Sequence, residues 1–318
     1  MPRTYAGAMP RPLVLAVDFG GTKVEAALVD DDGRLLPRSR HRRPTGAAAT
    51  NEDLEGAVRD VVVAAHDALP DGALIGGVGI GAAGPIDVEH GLVSPLNVPA
   101  WRDHPLAEFV AGIVPDLPVT LRMDGLCIAL AEHWIGAGRG VENLLGMVVS
   151  TGVGGGLLLG GRAAPSPTGN SGHIGHVEVG GFDDACACGG RGCLEAVASG
   201  PNTVAWARRQ GFAGTTGEDL AVAHAAGDPI AIAAVERAGT AIGHAVASAA
   251  NLVDLDVAAI GGGFSRVSPA LFDHARAALR VRTAFPFVSR VRIVPSGLSD
   301  EGPLIGAAAL VHRPDLLT

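Results

Sequence analysis

The chain has 318 residues and carries 24 cationic and 33 acidic side chains, which gives a formal net charge of −9. This acidic balance argues against a nucleic-acid-binding or other polyanion-binding surface, because such surfaces are basic. The length suffices for one large domain or two lobes with substantial cores. No signal peptide, lipidation motif or membrane-spanning run is evident, and the four cysteines fit a reducing compartment, so we expect a cytoplasmic protein.

The first half of the chain opens with two strands joined by a glycine-rich turn. After a tail predicted to be flexible over residues 1–12, apolar runs predict strands over 13–18 and 24–29, with Gly20 and Gly21 in the hairpin between them. Periodicity and turn residues then predict strands over 75–80 and 119–122 and helices over 52–69, capped by Asn51, over 105–114 and over 126–135.

The second half repeats this opening. A strand over 144–150 is followed by a glycine run at 151–156 and a strand over 157–159. Two such halves predict two facing α/β lobes, with the ligand in the cleft between them. The elements that complete the second half are helices over 201–210 and 229–252, a strand over 257–260, a turn at 261–263, a helix from 269, a strand over 291–294 and a helix over 303–312.

Three cysteines, Cys186, Cys188 and Cys193, lie within eight residues, and His176 lies ten residues before the first of them. Three thiolates and one imidazole make a closed tetrahedral shell, which is typical of a structural zinc. The alternatives are buried or coincidental thiols, or a redox or disulfide role. We predict zinc, because chance placement would rarely bring three of only four cysteines so close together.

Each glycine hairpin presents unhindered backbone N–H groups, which suit phosphate oxygens. One hairpin in each lobe can therefore grip a nucleotide from both sides, although ordinary tight turns would give the same pattern. Asp18, at the end of the first strand, faces the same region and can hold Mg²⁺ directly or through water. Lys23 or the Thr22 hydroxyl can add a further contact.

Asp124 is the best candidate for a general base, because it lies where a strand meets a helix at the edge of the expected cleft. Its alternative role is a helix cap. Glu195 can accept hydrogen bonds from a polyhydroxyl ligand, or it can be a solvated loop acid. Asn97 can read hydroxyl groups and Trp101 can wall a sugar, unless both belong to a packed loop.

The spacing Gly79-x-Gly81-x-x-Gly84 matches a dinucleotide-binding fingerprint after a predicted strand. Pro85 follows directly, so no helix can begin there with the N-terminus that the fingerprint requires. We therefore reject the match, and a hydride-transferring oxidoreductase is a weak alternative for the whole chain.

Taken together, these motifs resemble the ROK family (repressors, open reading frames and sugar kinases) from about residue 13 to the end. The resemblance implies an α/β, two-lobed actin-like ATPase (ribonuclease H-like) fold with an interdomain cleft and a zinc-bound loop. The small lobe would comprise 13–122, completed by the helix in 303–318, and the large lobe 123–302. The motifs that carry the resemblance are the hairpin from Asp18 to Lys23, Asn97 with Trp101, Asp124, the run at 151–156, Gly172-x-x-Gly175-His176 and the cysteine segment with Glu195.

The family implies ATP-dependent phosphorylation of a hexose, usually at the C6 hydroxyl. Asp124 would take the proton from that hydroxyl. Asn97, His173, His176 and Glu195 would contact the sugar, with His176 also a zinc ligand. The residues that would hold ATP with Mg²⁺ are Asp18, Gly20, Gly21, Thr22, Lys23, Thr151, Gly152, Gly154 and Gly155, with Gly262 and Gly263 on the adenosine side.

Three residues depart from the family pattern. Met123 and Leu126 stand where the family usually has asparagines, and His173 stands where it usually has glutamate. The base, the zinc ligands and the phosphate hairpins are retained, so these departures imply altered recognition of a ring hydroxyl. Alternative acceptors are therefore an amino sugar such as kanosamine, or a carbasugar or cyclitol of secondary metabolism.

One other class of function remains open, and a second is disfavoured. A sugar-binding protein without catalysis is compatible with Met123 and His173. A repressor is disfavoured, because family repressors carry a DNA-binding segment ahead of the kinase-like region, where this chain has only residues 1–12, and because the net charge is acidic. The resemblance implies a homodimer or homotetramer, and it leaves open whether the phosphate donor is ATP or polyphosphate.

Overall fold

Two mixed five-stranded sheets carry the fold in a computed structural model that describes residues 12–317. Residues 1–11 of the predicted tail therefore lie outside the described part of the chain. The strands are β1 (Leu13–Phe19), β2 (Lys23–Val29), β3 (His41–Pro44), β4 (Ile75–Ala82), β5 (Ile86–Asp87), β6 (Leu92–Val93), β7 (Val119–Met123), β8 (Leu144–Val149), β9 (Val153–Leu159), β10 (Arg162–Ala163), β11 (Val257–Gly261) and β12 (Arg292–Pro295).

Helices cover the faces of both sheets. The helices are α1 (Asn51–Asp67), α2 (Leu106–Ile113), α3 (Asp124–Trp134), α4 (Leu194–Ala198), α5 (Gly200–Arg209), α6 (Gly217–Ala225), α7 (Pro229–Val253), α8 (Ala270–Arg282), α9 (Pro286–Ser289) and α10 (Gly302–His312).

The two sheets share one topology. The first has the order β3-β2-β1-β4-β7 and the second the order β10-β9-β8-β11-β12. In each, an antiparallel hairpin (β1 with β2, β8 with β9) is followed by two parallel strands. The glycine turn of each sheet follows the carboxyl end of its first strand, β1 or β8. The next two strands run parallel to that strand, so their carboxyl ends lie on the same side of the sheet as the turn. The predicted internal repeat is confirmed.

Helices α3 and α10 lie back to back between the sheets. Helix α3 packs on β8 and β9, α10 packs on β1 and β4, and the two helices pack on each other. Glycines make this close approach possible: a Cβ atom added to Gly306 would lie 1.8 Å from the carbonyl oxygen of Cys127, and one added to Gly79 would lie 1.8 Å from that of Ala307. The helix that begins at Asp124 is thereby held rigidly between the sheets.

This packing predicts a strong effect for Gly306→Ala. The added methyl group has no space, so we expect the free energy of unfolding to fall by about 3 kcal/mol, the upper end of the usual cost of overpacking. The matched control is Gly112→Ala in the outer helix α2, where nothing lies within 4 Å of the added carbon. There alanine should stabilise the protein by roughly 0.5–1 kcal/mol. Urea unfolding of both variants measures the difference, and equal stabilities would contradict the packing argument.

Two expectations from the sequence about these elements need correction. Helix α1 is capped by Thr50, which forms a capping box with Asp53, and not by Asn51, whose side-chain oxygen accepts a hydrogen bond from Trp101. The glycine run 154–156 lies inside strand β9 and is not a turn, because its glycines let α3 pack against the strand. Strands β3, β5, β6 and β10 and helices α4, α6 and α9 were not predicted.

Within residues 12–317, helix α7 has the length and composition of a membrane-crossing segment. Most of its apolar stretch is buried, and it packs against α4, α5, α6 and α8. We interpret α7 as the central helix of the helical layer that packs on the second sheet.

Candidate functional site

A cleft of about 720 Å³ opens at the edge where both sheets direct their turns and strand ends. Apart from Trp101, every residue that the sequence proposed for sugar or ATP binding lines it. From the first sheet and its loops these are Asp18, Gly20, Gly21, Thr22, Lys23, Asn97 and Asp124; from the second they are Thr151, Gly152, Gly154, Gly155, His173, His176, Glu195, Gly262 and Gly263.

Two carboxyl groups lie in the floor of this cleft. Asp18 is 6% exposed at the end of β1, and Asp124 is the first residue of α3, where its Oδ1 accepts a 2.7 Å hydrogen bond from the N–H of Gly125. The pKa of Asp124 is raised to about 6, chiefly by burial and also by the charge of Glu195, against the lowering effect of the Gly125 hydrogen bond. Burial and then repulsion from Asp124 raise the pKa of Asp18 to about 7. Repulsion between these two carboxylates therefore favours a bound proton or cation in this part of the cleft.

The turns beside these carboxyl groups are tightly built. The N–H of Gly20 donates to the carbonyl of Lys23 at 2.9 Å, and the N–H of Ser150 donates to the carbonyl of Gly152 at 2.8 Å. Gly262 has a φ of +95°, and a side chain there would lie 2.5 Å from the carbonyl oxygen of Val149. The turn at 261–263 therefore lies against the end of β8, where the second glycine hairpin begins, and only glycine fits at this contact.

Glu195 connects the cysteine loop to the second hairpin. It lies in the first turn of α4, two residues after Cys193, and its Oε2 accepts a 2.9 Å hydrogen bond from the N–H of Val153. A side chain on Gly152 would lie 2.6 Å from the same oxygen. One carboxylate oxygen therefore supports the hairpin, which is a contact that the sequence did not reveal.

The four proposed metal ligands converge. Their ligand atoms all lie within 4.8 Å of one another. The Sγ atoms of Cys188 and Cys193 are 3.7 Å apart, as are Sγ of Cys186 and Nδ1 of His176. Tetrahedral zinc with bonds of about 2.3 Å to sulfur gives a sulfur–sulfur separation of about 3.8 Å, so the donor set and its spacing fit this ion. The predicted cluster is confirmed as a possible metal site.

At the other wall of the cleft, His173 lies against Gly84 and Met123. A Cβ on Gly84 would lie 2.9 Å from Nε2 of His173 and 3.4 Å from the sulfur of Met123. Burial, together with the neighbouring His176, lowers the pKa of His173, and its buried Nε2 has no hydrogen-bond partner among residues 12–317. Burial therefore favours the uncharged form of this imidazole, and the His173 side chain lines the cleft with its Nε2 covered at Gly84.

Two residues quoted for the resemblance or its departures do not reach the cleft. Trp101 is fully buried and stacks on Phe19, with ring centroids 4.3 Å apart, and on His104, at 3.9 Å. The suggestion that it walls a sugar is wrong, whereas Asn97 does line the cleft. The side chain of Leu126 packs on a buried apolar cluster and does not line the cleft, so its departure from the family pattern changes packing and not the cleft surface.

The sequence missed several lining residues, among them Arg42, Glu132, Ser296 and Asp300. Arg42 lies on β3, whose run of charged residues gave no apolar signal for a strand. Glu132 is fully buried within α3 and joins the loop after its own helix to the loop after β12: its Oε2 accepts hydrogen bonds from the N–H groups of Ala137 at 2.7 Å and Gly297 at 3.2 Å. Which face of β3 carries Arg42, and that Glu132 is buried, can be seen only in the folded protein.

Comparison with known proteins agrees with this geometry. The model of the ROK family matches residues 14–314. The chain is 32% identical to a glucokinase of Thermotoga maritima over 96% of this chain and 99% of that protein, and 30% identical to an N-acetylmannosamine kinase of Yersinia pseudotuberculosis over 92% and 96%. A ROK family glucokinase from Streptomyces griseus, solved with glucose and AMPPNP, superposes with a TM-score of 0.82 at 29% identity, covering 95% of this chain and 99% of that one.

The two sheets with matching topology, the shared cleft and the match over nearly the whole length agree with one another. The predicted actin-like ATPase fold is confirmed. The chain therefore belongs to the ROK family and is an ATP-dependent sugar kinase.

Proposed function

We propose that the protein transfers the γ-phosphoryl group of ATP to the C6 hydroxyl of a hexose, with Asp124 as the general base. The observation that carries this proposal is the position of Asp124, a partly buried carboxyl group with a pKa raised to about 6, in the cleft that both glycine hairpins also line. A base of that pKa is ionised at neutral pH and can accept the proton of an attacking alcohol.

The two ends of the cleft have different roles in this proposal. The hairpins at 20–23 and 151–155 would hold the phosphates, with Gly262 and Gly263 on the adenosine side. Mg²⁺ bound with ATP would neutralise phosphate charge, and Asp18 is the residue that would face it. Phosphoryl transfer then needs chiefly in-line positioning, which two hairpins from opposite sheets can supply.

The acceptor end would be formed by Asn97, His173, His176 and Glu195. Asn97 offers an amide to sugar hydroxyls, while Glu195 has a second carboxylate oxygen besides the one that binds Val153. Closure of the cleft over the sugar would exclude water, which otherwise competes as the phosphate acceptor. The small lobe would comprise residues 13–122 with the helix in 303–318, and the large lobe residues 123–302.

We propose zinc as the ion of the cysteine cluster, in a structural role. Three thiolates and an imidazole close the coordination shell, so no position is open for a substrate. The ion would fix the loop on both sides of the cluster, and thereby His176 and Glu195 at the acceptor end.

The identity of the acceptor is proposed from His173 and Met123. These side chains lie together at Gly84, and a site built around a specific hydrogen bond can discriminate strongly between related ligands. Glucose is the first choice, and a modified hexose such as an amino sugar or carbasugar is the alternative. A cytoplasmic location and a homodimer or homotetramer stay predictions.

A panel of acceptors tests the function. Purified protein with Mg²⁺ and ATP is incubated with hexoses, amino hexoses, N-acetylated hexosamines and cyclitols, and the product is located by NMR. We expect at least one sugar to be phosphorylated at C6. Phosphate at another carbon would contradict the C6 assignment, and binding of sugar by calorimetry without consumption of ATP would favour the non-catalytic alternative.

A further inference from the structure

Strand β3 brings an arginine to the phosphate side of the cleft through the register of the first sheet. Asp18 of β1 lies opposite Glu25 of β2, and Glu25 lies opposite Arg42 of β3. Side chains that are directly opposite in neighbouring strands point to the same face. These three residues therefore form one row across the sheet, on the face that carries α10 and the cleft.

Glu25 is the centre of this row. Its side chain is 1% exposed and forms ion pairs with Lys23, with Arg40 at 3.1 Å and with Arg42 at 2.7 Å. These cations lower the pKa of Glu25 although burial alone would raise it. A buried carboxylate with three partners stays ionised, so it fixes the positions of the cations around it.

Pairing with Glu25 leaves part of the Lys23 and Arg42 side chains free to contact a ligand. Lys23 and Arg42 both line the cleft, and their side chains are 32% and 53% exposed. Arg42 uses its Nε on Glu25, and its terminal nitrogens make no hydrogen bond within residues 12–317; the nearest carboxylate oxygen beyond Glu25 is that of Asp300, at 4.0 Å. A planar guanidinium with free N–H groups is suited to bidentate binding of phosphate oxygens.

We propose that Arg42, together with Lys23, binds the phosphate chain of the donor, and that Glu25 is the residue that positions both cations. This inference rests on the proposed nucleotide site at the 20–23 hairpin and adds to it a side chain from a strand that carries no recognisable motif. The ligand chemistry is a phosphoanhydride chain, as in a nucleoside triphosphate.

The next residue in the chain supplies a matched control. Arg43 points to the opposite face of the sheet, where it forms a 3.0 Å ion pair with Asp60 of α1. Arg42 and Arg43 therefore share chemistry, strand and exposure of about one half but face different surroundings. Any difference between their variants reports on the cleft.

The experiment measures binding of Mg²⁺-ATP and of adenosine to the full chain by calorimetry, without acceptor. For Arg42→Gln we expect the Kd for Mg²⁺-ATP to rise about tenfold, the usual worth of a charge-assisted hydrogen bond, with the Kd for adenosine unchanged. Arg42→Lys should recover part of the affinity. Arg43→Gln should stay within about twofold of wild type, because an exposed ion pair contributes little. Glu25→Gln should weaken Mg²⁺-ATP in the same selective way.

Unchanged Mg²⁺-ATP affinity in Arg42→Gln would overturn the proposal, and so would an equal loss for adenosine, which would indicate a general change of the cleft. The acceptor assignment fails separately. A protein that binds Mg²⁺-ATP through Arg42 but phosphorylates no sugar would contradict the proposed reaction alone. Inorganic tripolyphosphate, used as a second probe, should show the same dependence on Arg42 if the phosphate chain is what this residue recognises.

Discussion

Replacing Asp124 by asparagine should lower kcat by about 10³-fold while sugar binding persists, because general base catalysis contributes roughly 10²–10⁴-fold and asparagine retains the size and a hydrogen-bonding oxygen. Steady-state kinetics with the best acceptor of the panel measure the loss, and calorimetry measures sugar affinity. The matched control is Asp116→Asn, an exposed acid in the loop before β7, which should leave kcat unchanged. A kcat within about tenfold of wild type for Asp124→Asn would remove this residue from the base role.

The pH profile offers a second check on the same residue. Burial raises the pKa of Asp124 to about 6, and the base acts only as the carboxylate. Activity should therefore be low below pH 6, rise as the proton is lost, and level off at higher pH. The residual activity of Asp124→Asn should lack this rise near pH 6. A wild-type profile that is flat between pH 5 and pH 7 would contradict the assignment.

Loss of the metal site should have the other large effect. Purified protein should contain about one zinc per chain, and Cys193→Ser should contain far less, because a four-ligand shell loses a thiolate. We expect its free energy of unfolding to fall by at least about 3 kcal/mol, since binding and folding are coupled at such sites. The kcat/KM should fall about 100-fold, the effect of misplacing groups such as His176 and Glu195 by about 1 Å.

Cys127→Ala is the control for the zinc measurement. Cys127 is the remaining cysteine, and it is buried between α3 and α10, away from the cluster. Its removal should leave the zinc content at the wild-type level. Metal analysis that finds equal zinc in Cys193→Ser and wild type would contradict the site, and full activity of a zinc-free preparation would contradict its role in organising the acceptor end.

Much of the fold could be predicted because its elements carry local signals. The apolar runs at β1, β4 and β8 predicted strands within a few residues of their observed ends. The sequence also predicted a helix over 229–252, which is α7. The glycine hairpin at Gly20 and Gly21 and the cysteine cluster have spacings that few other structures require. These features depend on residues that are near one another in the chain, so they can be predicted without the tertiary structure.

Other elements depend on distant partners. Strand β3 is charged and polar, and it is a strand because β2 offers it an edge to pair with. The glycines at 154–156 read as a turn, but close packing of α3 places them in a strand. The sequence suggested that Trp101 could form a wall of a sugar site, whereas in the fold it is buried by stacking between Phe19 and His104. In each case the deciding contact lies with residues distant in the chain.

By itself, the sequence determined the repeated strand–hairpin–strand pattern, the candidate metal ligands, the candidate base Asp124 and a family resemblance, since each follows from residue type and spacing. Only the tertiary structure decided which of these side chains share one cleft, that Glu25 holds Lys23 and Arg42 beside the hairpin, and that Leu126 lies outside the site. The physical reason is that burial, charge pairing and pKa shifts arise between groups that the fold brings together from separate strands and helices. A linear pattern encodes which groups are present, whereas their mutual distances are set by packing.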